Sequence, residues 1–197
     1  ENVKNNKNKL PEFHKKLSTL KFLDPACGCG NFLVITYREL RLLELEVIKT
    51  LLFKHQKLRT EVAADANINI RQIAKIDVDQ FFGIEYEEFP ARIAEVAMWL
   101  IDHQMNMLLS TLFGQYFARL PLKKSAKIVH GDALETEWEE VVSKDELSFI
   151  LGNPPFIGSN IMSQIQRDAI VKEFDNIQGS GVLDYVTGWY IKAAKYI

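Results

Sequence analysis

Lys21-Phe22-Leu23-Asp24-Pro25-Ala26-Cys27-Gly28-Cys29-Gly30-Asn31-Phe32-Leu33 decides how the rest of the chain is read. It begins as a short apolar strand, passes through a tight glycine turn, and opens a long helix. Gly28 and Gly30 put no Cβ in the way, so backbone N–H groups and a helix N-terminus can approach a ligand carrying carboxylate or hydroxyl oxygens.

Spacing separates the ligands such a turn could hold. A dinucleotide fingerprint needs a third glycine where this chain has Leu33, and a phosphate loop needs Lys-Ser/Thr where it has Asn31-Phe32. What remains is Asp-Pro-x-x-Gly-x-Gly, an acid at a strand end beside a glycine turn, which suits a ligand with both a cation and a carboxylate. S-adenosylmethionine has both. A glycine-bearing strand-to-helix turn in any α/β protein is the plainer alternative.

The 197 residues suffice for one domain with a real core, and 47% hydrophobic with 25% charged residues is an ordinary globular balance. No apolar run approaches a membrane span, and the Lys/Asn-rich start has no signal-peptide core, so a cytoplasmic location is expected. Cys27 and Cys29 sit too close in one turn for easy disulfide geometry and lack neighbouring histidines for zinc. They read as reduced lining. A net charge of -2 gives no global attraction to nucleic acid, so any grip on DNA must come largely from elsewhere.

Residues 1–19 read as a polar linker with a short helix at 12–20 leading into strand one at 20–24. Phe32, Leu33, Tyr37, Leu40, Leu43, Val47 and Leu51 predict a helix over 31–58. Residues 60–75 read as a short helix with loops. A second strand is expected over 79–86, then a helix from Pro90 to 112 with Ile93, Val96, Leu100, Met105 and Leu108 on its apolar face. Met98 and Trp99 read as packing. After a loop at Pro121 come strands at 126–130 and 147–151. Helices at 163–174 and 183–196 follow, the latter with Leu183, Val186, Tyr190, Ala193 and Ile197 as its buried stripe, and Gly179-Ser180-Gly181 reads as a flexible joint between them.

This order predicts an α/β fold, a mostly parallel sheet flanked by helices, with ligands at the carboxyl ends of the strands. Glu85 closes strand two, where a carboxylate can accept from both hydroxyls of a ribose, although it stands well beyond the roughly 20-residue spacing usual for that role. A solvated acid in the run Glu85, Glu87, Glu88 is the plainer alternative. Asp132 could accept from an exocyclic adenine amine while the Ala133 N–H donates to a ring nitrogen, but Gly131-Asp132 is also a common turn.

Asn153-Pro154-Pro155-Phe156 is the most specific signal. Two successive prolines lock φ and remove two donors, leaving a platform that only accepts. It suits a planar exocyclic amine: with the Asn153 side-chain oxygen and the Pro154 carbonyl each taking one amine hydrogen, the nitrogen lone pair is freed toward a methyl donor. Phe156 can stack on the base, worth about 1–3 kcal/mol, comparable with the cost of swinging a base out of a duplex. A rigid turn with a core phenylalanine is the bland reading. His14, His55, His103 and His130 are scattered without metal spacing, and Glu135, Glu137, Glu139 and Glu140 read as a solvated loop.

These motifs in this order resemble the S-adenosylmethionine-dependent methyltransferases that make N6-methyladenine in DNA. The wording at Phe82-Gly83-Ile84-Glu85-Tyr86-Glu87-Glu88-Phe89-Pro90 and Leu183-Asp184-Tyr185-Val186-Thr187-Gly188-Trp189-Tyr190 is similar to the methylase part of MmeI-like restriction-modification enzymes. The resemblance covers residues 20–197 and implies a Rossmann-like class I methyltransferase domain, here truncated. It implies that Asp24, Ala26, Cys27, Gly28, Gly30, Asn31 and Phe32 hold the methionine end, Glu85 the ribose, and Asp132 and Ala133 the adenine, with Tyr86 also among the cofactor-binding residues. Asn153, Pro154, Pro155 and Phe156 would receive a flipped adenine. Cys29 stands where relatives often carry serine. The family further implies three more strands, a target-recognition domain gripping double-stranded DNA, and in bifunctional members a nuclease. With four strands alone the fourth leaves a bare edge, and the fragment is expected to bind cofactor at most. RNA bases or a protein glutamine amide as acceptor, or a non-catalytic scaffold, remain the rival readings.

Overall fold

The computed structural model describes residues 9–53, 73–114 and 125–197. Expectations for residues 1–8, the 54–58 end of the first long helix, most of 60–75 and the Pro121 loop lie outside them. Four strands form one sheet: β1 (Phe22–Asp24), β2 (Phe81–Glu85), β3 (Lys127–His130) and β4 (Phe149–Ile150), in the order β3-β2-β1-β4. All pairs are parallel, with Leu23 opposite both Phe82 and Ile150, and Glu85 opposite His130. Every strand therefore delivers its carboxyl end to the same side.

The period-two alternation of strand side chains sorts the core into two layers. Phe22 and Phe81 face α1 (Lys9–Leu17), α2 (Asn31–Phe53) and α3 (Glu88–Phe113), meeting Leu17, Leu33, Tyr37, Ala94 and Met98. Leu23, Phe82 and Ile84 face the opposite layer of α4 (Trp138–Val141), α5 (Gln164–Glu173) and α6 (Thr187–Tyr196), meeting Trp138, Ile170 and Trp189. Phe22 stacks between Phe81 and Phe149, at 5.1 and 5.4 Å between ring centroids. Gly83 shares the first face because a Cβ there would lie 2.8 Å from the Cys27 Sγ and 3.2 Å from Leu33. Its absence lets the turn and the start of α2 settle onto the sheet.

After β3 the chain crosses to the other side of β1 before forming β4, so connections diverge between β1 and β4. Ligands of open α/β sheets bind at such a divergence. Among the described residues β4 pairs with β1 alone.

Several elements depart from the sequence expectations. The α1 helix spans Lys9–Leu17, and the Ser18 and Thr19 hydroxyls then bond back to the Lys15 and Lys16 carbonyls. Val78–Gln80 is a 3₁₀ turn, capped by Asp77 with Gln80 completing the capping box, so β2 starts only at Phe81. Trp138–Val141 adds a short helix inside the acidic run, whose glutamates are exposed. Gly179-Ser180-Gly181 is structured rather than a loose joint: Ser180–Val182 is a 3₁₀ turn and Arg167 donates to the Gly181 carbonyl at 2.8 Å. The last helix begins at Thr187; of the expected stripe Val186 is buried while Leu183, Tyr190 and Ile197 are exposed, and Tyr185 and Trp189 are buried in their place.

The buried faces of α2 and α3 also differ from the expected stripes. Phe32, Leu43 and Leu51 are exposed on α2, and Val96, Trp99, Leu100 and Leu108 on α3, whereas Met98 is buried as expected. Charged and polar residues take the inner positions: Arg41 and Glu44 on α2, Asp102 and Asn106 on α3. Arg41 donates to the Ile76 carbonyl at 2.9 Å and to Asn106 Oδ1 at 2.9 Å, and Tyr37 donates to Asp102 at 2.6 Å. Glu44 Oε1 accepts from the Lys75 and Ile76 N–H groups and bonds His14 Nε2 at 2.9 Å. This network, rather than apolar periodicity, fixes which way the two helices face and where the chain returns to β2.

Candidate active site

Asp24 ends β1 with no exposed surface. Its Oδ1 accepts the Ala26 N–H at 3.0 Å, while Oδ2 is buried without a hydrogen-bond partner among the described residues. Burial pushes its pKa up from 3.8 to about 7, opposed by the Ala26 N–H and reinforced by the charge on Glu85. The turn that follows is closed by Cys27 N–H to the Ile84 carbonyl at 3.0 Å and Gly30 N–H to the Cys27 carbonyl at 2.8 Å. Gly28 and Gly30 have φ of 54° and 84°, which glycine adopts without penalty. A Cβ on Gly30 would lie 3.1 Å from that of Ala94, so α3 abuts the turn. Burial first, then Asp24 and Glu85, push the Cys27 thiol up to about 12, leaving it a neutral packing group.

Glu85 links the first two strand ends. Its Oε2 accepts the Gly28 N–H at 2.8 Å and its Oε1 the Glu87 N–H at 3.0 Å, so backbone donors fix the carboxylate in place. The third strand end joins through Gly131 N–H to the Glu85 carbonyl at 2.9 Å. Asp132 then starts a turn: its Oδ1 takes the Leu134 N–H at 2.8 Å and its carbonyl the Thr136 N–H at 2.8 Å. Trp138 Nε1 donates to the Ala133 carbonyl at 2.9 Å. After β4, Gly152 passes directly over Asp24, and Asn153, Pro155 and Phe156 are exposed, Phe156 by 72%.

A cavity of about 550 Å³ opens where these ends meet. Ala26, Glu85, Tyr86, Asp132, Ala133, Asn153 and Pro155 all line it. Glu87 and Glu135 add further carboxylates to its wall.

Over residues 1–197 the chain matches the family described as MmeI, DNA-methyltransferase domain. It belongs to that family. DNA methyltransferase A of Bacillus subtilis (strain 168) is 34% identical over 191 residues, covering 95% of this chain and 20% of that protein. The type IIL restriction-modification enzyme MmeI, solved in complex with DNA, is 53% identical with a TM-score of 0.89 over all of this chain and 25% of its own. A nuclease-deletion mutant of the type ISP restriction-modification enzyme LlaGI, solved with a DNA substrate mimic, is 17% identical with a TM-score of 0.52, over 91% of this chain and 14% of its own, and shares the fold alone. The chain thus spans a quarter or less of the length of these relatives.

Within this MmeI-type methyltransferase domain, Asp24, Cys27, Gly28, Gly30, Asn31 and Phe32 are not among the residues lining the cavity: Asp24 and Cys27 are buried, Gly28 and Gly30 belong to the turn that follows Ala26, Asn31 opens α2, and Phe32 is 48% exposed. Pro154 and Phe156 flank the lining residues without being among them. Sequence reasoning missed Tyr185 and Trp189, which wall the cavity from α6 and its approach, their rings meeting edge to face at 5.0 Å. The available signal was two large aromatics one helical turn apart around Gly188. It also missed Ser163, Gln166 and Ala169, which line the cavity from the start of α5. No described helix is long and apolar enough to cross a membrane, and no described cluster of histidine, cysteine, aspartate and glutamate could hold a metal ion.

Proposed function

We propose that this domain transfers the methyl group of S-adenosylmethionine to the N6 amine of an adenine flipped out of double-stranded DNA, as the adenine-specific methylase part of a restriction-modification enzyme. The observation that carries it is that Asn153 and Pro155 line the same cavity as Ala26, Glu85 and Asp132. Donor-side and acceptor-side residues, far apart in sequence, thus share one space.

The residues fit such a donor. The buried Asp24 Oδ2, without a hydrogen-bond partner among the described residues, and the carboxylates of Glu85, Glu87, Asp132 and Glu135 favour a ligand bearing positive charge, and Gly28 leaves open space where a side chain would stand. Asp24, Ala26 and the turn through Phe32 would hold the methionine end, Glu85 and Tyr86 the ribose, Asp132 and Ala133 the adenine. When bound, the cofactor supplies a methyl group activated by its sulfonium.

Everything else is positioning. The Asn153 side-chain oxygen and the Pro154 carbonyl accept the two amine hydrogens and turn the nitrogen lone pair toward the donor, while the exposed Phe156 ring offers a face for the base. No strong base is required, because the surplus proton becomes acidic once nitrogen is alkylated. DNA as substrate is supported by the 53% identical relative solved in complex with DNA. With a net charge of -2, the domain leaves most of the DNA grip to other parts of the longer protein, including a target-recognition domain; a nuclease belongs to the same proposal.

The test is methyl transfer from labelled S-adenosylmethionine by the full-length protein, offered DNA, RNA and protein in parallel. Label in N6-methyladenine of DNA is expected. Label confined to RNA or to protein would overturn the reading.

A further inference from the structure

The α6 helix reaches back over the strand ends and donates to two of the loops that build the cavity. Trp189 Nε1 donates to the Pro25 carbonyl at 3.1 Å, and Lys192 Nζ donates to the Leu134 and Thr136 carbonyls at 2.7 and 2.9 Å. Leu134 is consequently gripped twice, its N–H by Asp132 and its carbonyl by Lys192. The helix comes close enough because residue 188 is glycine: a Cβ there would lie 2.7 Å from Ile170 Cδ1 and 3.0 Å from Leu134 Cδ1.

Lys192 is an expensive residue for this place. Its side chain is 15% exposed and its nearest carboxylate, Glu173, lies 3.9 Å away, so the short contacts of the ammonium are to neutral carbonyls. Burial lowers its pKa, with Glu173, Glu137 and Asp132 acting in the other direction. The ammonium also lies 5.7 Å from the centre of the Trp138 ring, whose N–H holds the Ala133 carbonyl. An apolar residue would avoid the desolvation cost, but it could not tie two carbonyls of one turn.

We propose that Lys192 is a positioning residue for the adenosine end of the cofactor: by bonding the Leu134 and Thr136 carbonyls it holds the Asp132–Thr136 turn against the cavity. This rests on the reading that the cavity takes S-adenosylmethionine.

The test compares full-length wild type, K192M and K192R by calorimetric titration with S-adenosylmethionine and with methylthioadenosine, which keeps the adenosine and lacks the amino acid. K192M is expected to weaken both ligands about tenfold and by the same factor, and K192R, which can still reach two carbonyls, to recover binding to within about twofold. Without ligand, amide exchange over residues 132–136 should quicken in K192M. Folded K192M that binds both ligands within twofold of wild type, or exchanges as wild type does, overturns the proposal. Should K192M not fold, K192Q takes its place with the same thresholds. Wild type that binds neither ligand sinks the methyltransferase reading, and the exchange measurement still decides whether Lys192 holds the turn.

Discussion

The carboxylate of Asp24 lies so close under Gly152 that a Cβ on residue 152 would sit 2.4 Å from Oδ1. The last residue of β1 and the residue before Asn153 therefore pack against each other, and the Leu151 N–H ties the two segments one residue earlier by donating to the Leu23 carbonyl at 2.9 Å. Residue 152 also has φ of 152°, which side-chain-bearing residues rarely adopt. Gly152→Ala is expected to cost about 1–3 kcal/mol of stability and to reduce methyl transfer at least a hundredfold by displacing Asn153. Urea unfolding and single-turnover transfer measure the two losses separately.

Asp24 gives a pH dependence opposite to that of a salt-bridged carboxylate. Its folded-state pKa, about 7, lies above the ordinary 3.8, so the folded protein binds the extra proton between those values. Stability from this group is complete below about pH 4 and is lost as pH rises toward 7, by roughly 4 kcal/mol at most for a shift of this size. Asp24→Asn keeps an acceptor for the Ala26 N–H and removes the titration. Its unfolding midpoint should exceed that of the parent above pH 7, and the gap should close below pH 5.

Asn153→Ala removes one acceptor from the amine platform on an exposed residue that lines the cavity. Transfer is expected to fall about 10²–10³-fold, the usual loss for one fixed polar group at a reacting centre, with cofactor affinity unchanged. Parallel transfer assays and calorimetry on the full-length protein check both halves.

Phe156 is exposed enough that folding does not depend on it. Phe156→Ala should leave the unfolding midpoint in place and weaken engagement of the target base by about 1–3 kcal/mol, read with 2-aminopurine at the target position as a loss of the flipped-base fluorescence signal.

Arg41 neutralises a polar interior. It lies 3.7 Å from Glu44 and 3.9 Å from Asp102 while bonding Asn106 and the Ile76 carbonyl. Arg41→Met leaves buried carboxylates uncompensated and is expected to cost about 3–5 kcal/mol. Urea denaturation provides the measurement.

The four strand ends were legible because each follows a short apolar run and closes in residues with few conformational options, such as Asp24-Pro25 or Asn153-Pro154-Pro155. Helix orientation was not. The α3 helix carries apolar residues nearly all round, so periodicity favoured Val96 and Leu100, whereas Asp102 and Asn106 turn inward to meet Arg41. The parts of the site contributed by α6 were equally hidden, since Trp189 meets Pro25 across 164 positions of chain and no local pattern announces such a partner. Lys192 has no local signal either, because nothing nearby in sequence shows that two carbonyls await it.

That long reach also sets an order of events during synthesis. The glycine turn leaves the ribosome early, yet the carbonyls of Pro25, Leu134 and Thr136 stay untethered until Trp189 and Lys192 follow. The two loops therefore gain these tethers only once α6 has been made, and the nascent domain passes through a stage in which they are held by local bonds such as that from the Leu134 N–H to Asp132 Oδ1.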